Sequence, residues 1–228
     1  MNKKTNVNMV RILMRKDLQL VAAPALTYFA GGVLALGLMS VHAEGSYYAG
    51  VVLLITALMA LGFHPAIATA VGERKGQTLA FVMSLPITPT DYTVAKLAVN
   101  LLVFFVPWTL LLLGCAMLIH WRADLPDGLI PLAVILFGVV AASSVVILCV
   151  GVATESMPLT IVTQVASNLA FQGVMFSASN NPQIKAAMAG DVVAWSPPVL
   201  GYLGVYACII LLALAATVWA QSRKTSFL

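Results

Sequence analysis

Charge is scarce in this chain. Only 9% of its 228 residues are Asp, Glu, Lys or Arg, where soluble domains carry about 25%. With 61% hydrophobic residues and a mean hydropathy of +0.98, a soluble globular fold is excluded. Cysteine is also sparse. Cys115, Cys149 and Cys208 each fall inside an apolar run, with no Cys-x-x-Cys and no neighbouring His. They read as small core residues, and neither a disulfide nor a metal site is expected. No Gly-x-x-x-x-Gly-Lys phosphate loop occurs, so the chain is not expected to bind ATP by that route. The apolar runs hold no Ser and His in a protease-like setting, no His-rich cluster and no paired carboxylates, which argues against an enzyme. No internal repeat, low-complexity tract or soluble linker is found, so residues 1–228 read as one membrane domain.

Long apolar runs dominate. They cover about Leu20 to Val41, Ala49 to Val71, Leu97 to Ile119, Leu129 to Ala153, Met157 to Ala178 and Val199 to Ala220. Each reaches the roughly 20 residues a helix needs to cross about 30 Å of hydrocarbon. None alternates as barrel strands do, and a lipid-exposed backbone must satisfy its own hydrogen bonds. The expectation is an all-α membrane protein with six transmembrane helices. Val41-His42-Ala43 resembles a small-residue cleavage site, but the run ahead of it is full transmembrane length and contains Pro24. It is read as a retained first helix.

Six spans put both termini on one side, with the loops around residues 72–96 and 153–157. That side holds Lys3, Lys4, Arg11, Arg15, Lys16, Arg74, Lys75, Lys96, Arg223 and Lys224, whereas the other holds only Arg122 and Lys185. The bias places both termini and the long loop in the cytoplasm. The net charge of +4 then reflects topology and anionic membrane lipid, not a nucleic-acid partner.

Three segments outside the runs carry pattern. In residues 1–19, Val7, Val10, Leu13, Met14 and Leu18 recur at three- and four-residue steps, continuing to Val21. Asn6, Asn8, Arg11, Arg15, Lys16 and Gln19 take the other face. This predicts an amphipathic interfacial helix, which serves either as a surface element or simply as a positive anchor. In the outer connector, residues 179–198, Asn181-Pro182 predicts a capped short helix through about Ala189, closed by Gly190, with Trp195 as an interfacial anchor.

The third segment is the loop from Gly72 to Lys96, 25 residues long where a few would turn the chain. Glu73 falls in the first turn of a predicted helix, where the helix dipole favours a carboxylate. Leu79, Val82 and Met83 share one face, and Arg74, Lys75, Gln77 and Ser84 occupy much of the rest. Pro86 and Pro89 break the segment, and Thr88 with Asp91 resembles a capping box that starts the next helix. Lys96 is expected to snorkel to the interface. A short surface-parallel helix, a kink and a re-entry result, available to a cytoplasmic partner.

Within the membrane, Thr160, Gln164, Asn168 and Gln172 recur every four residues on the fifth helix, with Thr163 and Ser167 beside them. The stripe must face protein or water. It either lines a pathway or hydrogen-bonds helices together. His64-Pro65 should kink the second helix, with His64 in a packing role or, alternatively, a proton-relay one. Glu155 is either a second contact to a partner or a solvated interfacial residue.

The string Gly72-Glu73-Arg74-Lys75-Gly76-Gln77-Thr78, then Ser84-Leu85-Pro86-Ile87-Thr88, Asp91 and Ala95-Lys96, resembles the signature of ABC-type exporter permeases of the type-2 class. It is most similar to short single-domain members, including phenol-soluble-modulin exporter permeases. Met14-Arg15-Lys16-Asp17-Leu18 resembles their opening, where a Lys-Asp pair precedes the first helix. Gly76-Gln77 departs from the pattern, since many relatives carry a further charge or bulkier residue there. The resemblance implies a coupling helix that docks on a separate ATPase subunit, through Glu73, Arg74, Lys75, Thr78, Leu79, Ser84, Leu85, Pro86 and Asp91. Two ATPase copies would bind ATP and Mg, and this chain would hold no cofactor. Two permease protomers, identical or related, would face each other in a bacterial cytoplasmic (inner) membrane. Thr160, Gln164, Ser167, Asn168, Gln172 and His64 are the pathway candidates. A six-helix ligand-capture subunit of an energy-coupling importer and a non-transporting regulatory or immunity protein are the alternatives.

Overall fold

The computed structural model describes residues 7–72 and 89–223. These form seven α-helices and no strand among the described residues: α1 (Val7–Ser40), α2 (Glu44–Ala66), α3 (Pro89–Trp121), α4 (Ile130–Thr154), α5 (Met157–Asn180), the short α6 (Pro182–Met188) and α7 (Pro197–Ser222). All but α6 are long and apolar enough to cross a bilayer. The protein is an all-α, multi-pass membrane protein.

The interfacial and first spanning segments predicted for the N-terminus are one continuous helix, α1, of 34 residues. No helix breaker separates them: Gln19 and Leu20 are good helix formers. Pro24 is carried inside the helix, as bilayer helices allow. In α2, Pro65 is also inside the helix, and the departure from α-geometry follows it as a π-helical turn over Ile67–Val71. Such turns accompany bends. The Thr69 hydroxyl donates to the Pro65 carbonyl at 2.8 Å.

The most apolar helix, α4, is central and packs against α2, α3, α5 and α7, while α1 packs against α2 and α3. In lipid, helices gain little from hydrophobic burial and associate through close packing, so small residues mark the contacts. A Cβ on Gly50 of α2 would lie 2.7 Å from the Ala35 carbonyl and 2.9 Å from the Met39 amide of α1. Only glycine permits that approach. Leu58, Leu61, Leu111, Ile135 and Val145 are among the large side chains buried in the bundle interior.

At the end where α3 meets α4, Arg122 donates to the Met39 and Val41 carbonyls and pairs with Asp124. It thereby ties the α1 terminus to the α3–α4 turn. The Arg122 hydrogen bond also holds the Asp124 carboxyl below its ordinary pKa. Nearby, Asn181 caps α6 by accepting from the Gln183 and Ile184 amides, at 3.0 and 3.3 Å. This is the cap and proline start read from the sequence.

Candidate functional site

The opposite end of the bundle carries the loop singled out by the sequence. Glu73, Arg74, Lys75, Thr78, Leu79, Ser84, Leu85 and Pro86 lie outside the described residues, as does Thr88 of the expected capping box. The helix re-entering the bundle is described. Asp91 is in the first turn of α3, where the dipole favours it, but it is buried rather than displayed, as are Tyr92 and Thr93.

Lys96 departs from expectation. Instead of snorkelling to the interface it is 1% exposed, and its Nζ lies 2.7 Å from Oδ2 of Asp17, itself 0% exposed. The Tyr92 ring sits beneath the ammonium, 5.3 Å away, an arrangement that stabilises a desolvated cation. Lys16, half exposed, approaches the other Asp17 oxygen at 3.5 Å. The physical reason is that α1 packs over the start of α3, closing the route to water. A buried ammonium is then tolerated through a paired carboxylate. One turn further along α3, Asn100 donates to the Thr69 hydroxyl and to the Lys96 carbonyl, each at 2.8 Å. This node joins α1, the π-turn of α2 and α3 where the long loop leaves and returns.

Asp17 had a signal. It is the only acidic residue in the first 43 and continues the four-residue register of Leu13 and Val21, both buried. A carboxylate in an apolar stripe needs a cation opposite it.

The stripe on α5 divides. Thr160 is buried and its hydroxyl donates to the Ser156 carbonyl at 2.9 Å, so it is a helix-start residue. Gln164 donates to Asn168 at 3.0 Å, and Ser167 lies with both beside Ser143 and Ser144 of α4. Asn168 and Gln172 are exposed. The Gln164–Asn168 bond runs along α5, so it does not join α5 to another helix. His64 lies apart from the stripe, with its Nδ1 2.9 Å from the Tyr28 hydroxyl of α1.

Sequence reasoning did not anticipate a groove of about 700 Å³ between α5 and α7, floored by α4. Thr163, Ser167 and Ala170 form one wall, and Gly201, Tyr202 and Tyr206 the other. The Ser177 and Tyr202 hydroxyls, 2.7 Å apart, bridge α5 to α7. At the loop-bearing end, Gln221 of α7 donates to the Val152 carbonyl at 2.7 Å. Glu155, which terminates α4, is buried with a left-handed backbone (φ 51°).

No family model matches the chain, and no curated protein or solved structure matches it either.

Proposed function

We propose that this chain is the permease subunit of an ATP-driven exporter of the type-2 ABC class. In this reading it works as a pair of protomers in a bacterial cytoplasmic membrane, with both termini inside. One observation carries the paired arrangement. The least apolar spanning helix, α5, with a mean hydropathy of 1.3, has only 11% of its spanning window buried, whereas α4, at 2.8, has 61% buried. A helix facing lipid should be among the most apolar, and exposed Asn168 and Gln172 would be costly there. The exposed face of α5 is therefore assigned to a second protomer and to the substrate route between the two.

The resemblance of residues 72–96 supports the coupling role. Residues 73–91 would dock on a separate ATPase, whose binding and hydrolysis of ATP with Mg supply the driving force. This chain's part is mechanical. The loop's movement enters the bundle through α2 and α3, at the Asp17–Lys96 node, and the cleft between protomers switches its opening from the cytoplasm to the outside. An uncharged polar stripe in an apolar cleft suits amphipathic or hydrophobic cargo. The groove beside α5 has exposed walls at Ala166, Ala170, Gly201 and Val205. It is thus open-sided, unlike a ligand-capture chamber.

The test is co-purification with the candidate ATPase. Glu73→Ala with Arg74→Ala should lower ATPase association and permease-stimulated turnover at least about tenfold, the effect of losing roughly 1.4 kcal/mol of docking energy. Unchanged association and turnover would remove the coupling assignment.

A further inference from the structure

Two buried polar atoms away from the ion pair, unpartnered among the described residues, belong to side chains that line small cavities. Oδ1 of Asn100 on α3 is buried and accepts no hydrogen bond among the described residues, although its amide nitrogen makes two. Oε1 of Gln164 on α5 is in the same position. Each residue lines a small, partly open recess of about 10 Å³, close to the volume that admits one water molecule. The first is bounded by Gly62, Asn100, Phe104 and Ser144, the second by Ser143, Ser144, Gln164, Ser167 and Phe171. Ser144 of α4 lines both. Its hydroxyl proton goes to the Val140 carbonyl at 2.8 Å, which leaves its oxygen free to accept.

We propose that these are two structural water sites sharing Ser144. One water donates to Asn100 Oδ1 and Ser144 Oγ, and the other to Gln164 Oε1 and Ser144 Oγ. Each water then has two polar partners, within the range ordered buried waters require. An acceptor that would otherwise be orphaned in a low-dielectric interior is satisfied at each site. The waters complete a polar track across an apolar bundle. It runs from exposed Asn168 through Gln164, Ser144 and Asn100 to Thr69 and the Lys96 carbonyl, beside the Asp17–Lys96 pair. The α5 face and the loop-bearing node are thus joined by hydrogen bonds through the centre of α4. The assignment does not depend on what the protein transports.

Gly62 offers a variant that alters no polar atom. A Cβ there would fall 1.9 Å from Ser144 Oγ and 2.6 Å from Ser144 Cβ, so Gly62→Ala displaces Ser144, the residue that both cavities share. The experiment is radiolytic footprinting of the full chain after transfer into ¹⁸O-water, reading ¹⁶O retained from slowly exchanging bound water. In the unaltered protein, buried Phe104 and Phe171, one beside each cavity, should both acquire ¹⁶O label. Gly62→Ala should lower labelling at both Phe104 and Phe171, because it displaces the Ser144 hydroxyl that the two waters share. Ser144→Ala, which is easier for the fold to absorb, should reduce both. Absence of label at both rings in the unaltered protein would overturn the proposal. So would labelling that Ser144→Ala leaves unchanged, or a high-resolution density map with both cavities empty.

Discussion

Breaking the Asp17–Lys96 pair should destabilise this protein more than any other single charge change among the described residues. The two charged atoms are 2.7 Å apart and each side chain is 1% exposed. At an effective dielectric near 20 their gross attraction is about 6 kcal/mol, most of it offset by the desolvation that burial imposes on both groups. That offset makes single and double variants differ. Asp17→Asn removes the carboxylate that faces the buried Lys96 ammonium, and Lys96→Met leaves the buried Asp17 carboxylate with Lys16, 3.5 Å away and half exposed, as its remaining cation among the described residues. Each should cost about 3–5 kcal/mol. For a chain of this size that lowers Tm on the order of 10 °C. Asp17→Leu combined with Lys96→Met removes both charges and should recover most of the loss, giving a coupling energy of about 2 kcal/mol or more. Thermal unfolding of the purified chain in detergent, followed by circular dichroism, provides the assay. Single variants within about 1 kcal/mol of the unaltered protein, or a double variant whose losses simply add, would refute the buried pair.

Two further outcomes follow from packing and from the outer turn. Gly50→Val drives its side chain into the Ala35 carbonyl and Met39 amide, backbone atoms that cannot swing away. It should cost about 3 kcal/mol, whereas Gly37→Ala, with nothing within 4 Å of the added carbon, should leave Tm unchanged. Arg122 depresses the Asp124 pKa, so the carboxylate's contribution is complete above the ordinary carboxylate range and fades as pH falls through the lowered value. Asp124→Asn should flatten the Tm–pH curve below about pH 4.

The spanning helices were legible because each is a run of uncharged residues of membrane length, and no tertiary detail can disguise that. Their ends were less so. The division of α1 into an interfacial and a spanning segment rested on a change of composition near Gln19, and composition does not break a helix. Lys96 was misread for a related reason. Snorkelling presumes that water is reachable along the helix surface, and reachability depends on which helix packs alongside. The clue lay 79 positions away, in Asp17 occupying a place of the apolar register between Leu13 and Val21. Periodicity gave the face of α5 that is polar, but whether that face turns inward is a property of the packing. Thr160 is buried while Asn168 and Gln172, on the same stripe, are exposed. The groove against α7 left no trace in the sequence, because residues such as Ala170 and Gly201 look alike in a tight contact and in a gap.

Burial alone does not say which exposed helix meets protein. In α7, as in α5, 11% of the spanning window is buried, but its mean hydropathy is 2.4 against 1.3. Leu211 and Leu212 on α7 are 67% and 70% exposed, and lipid satisfies them. Asn168 and Gln172 on α5 have amide groups that lipid does not satisfy. If two protomers meet through α5, a cysteine replacing Asn168 should form a disulfide across the pair in membranes under mild oxidation, and one replacing Leu211 should not. The background must lack Cys115, Cys149 and Cys208, since Cys208 on α7 is itself exposed. Crosslinking requires the two Cα atoms to approach within about 7 Å. Cysteines at Ser167 and Gln172 as well as Asn168 would therefore sample the face over more than one turn. Dimer bands from the α5 positions alone would place the interface there. Bands from Leu211 alone would put the protomer contact on α7 and return the polar face of α5 to some other partner.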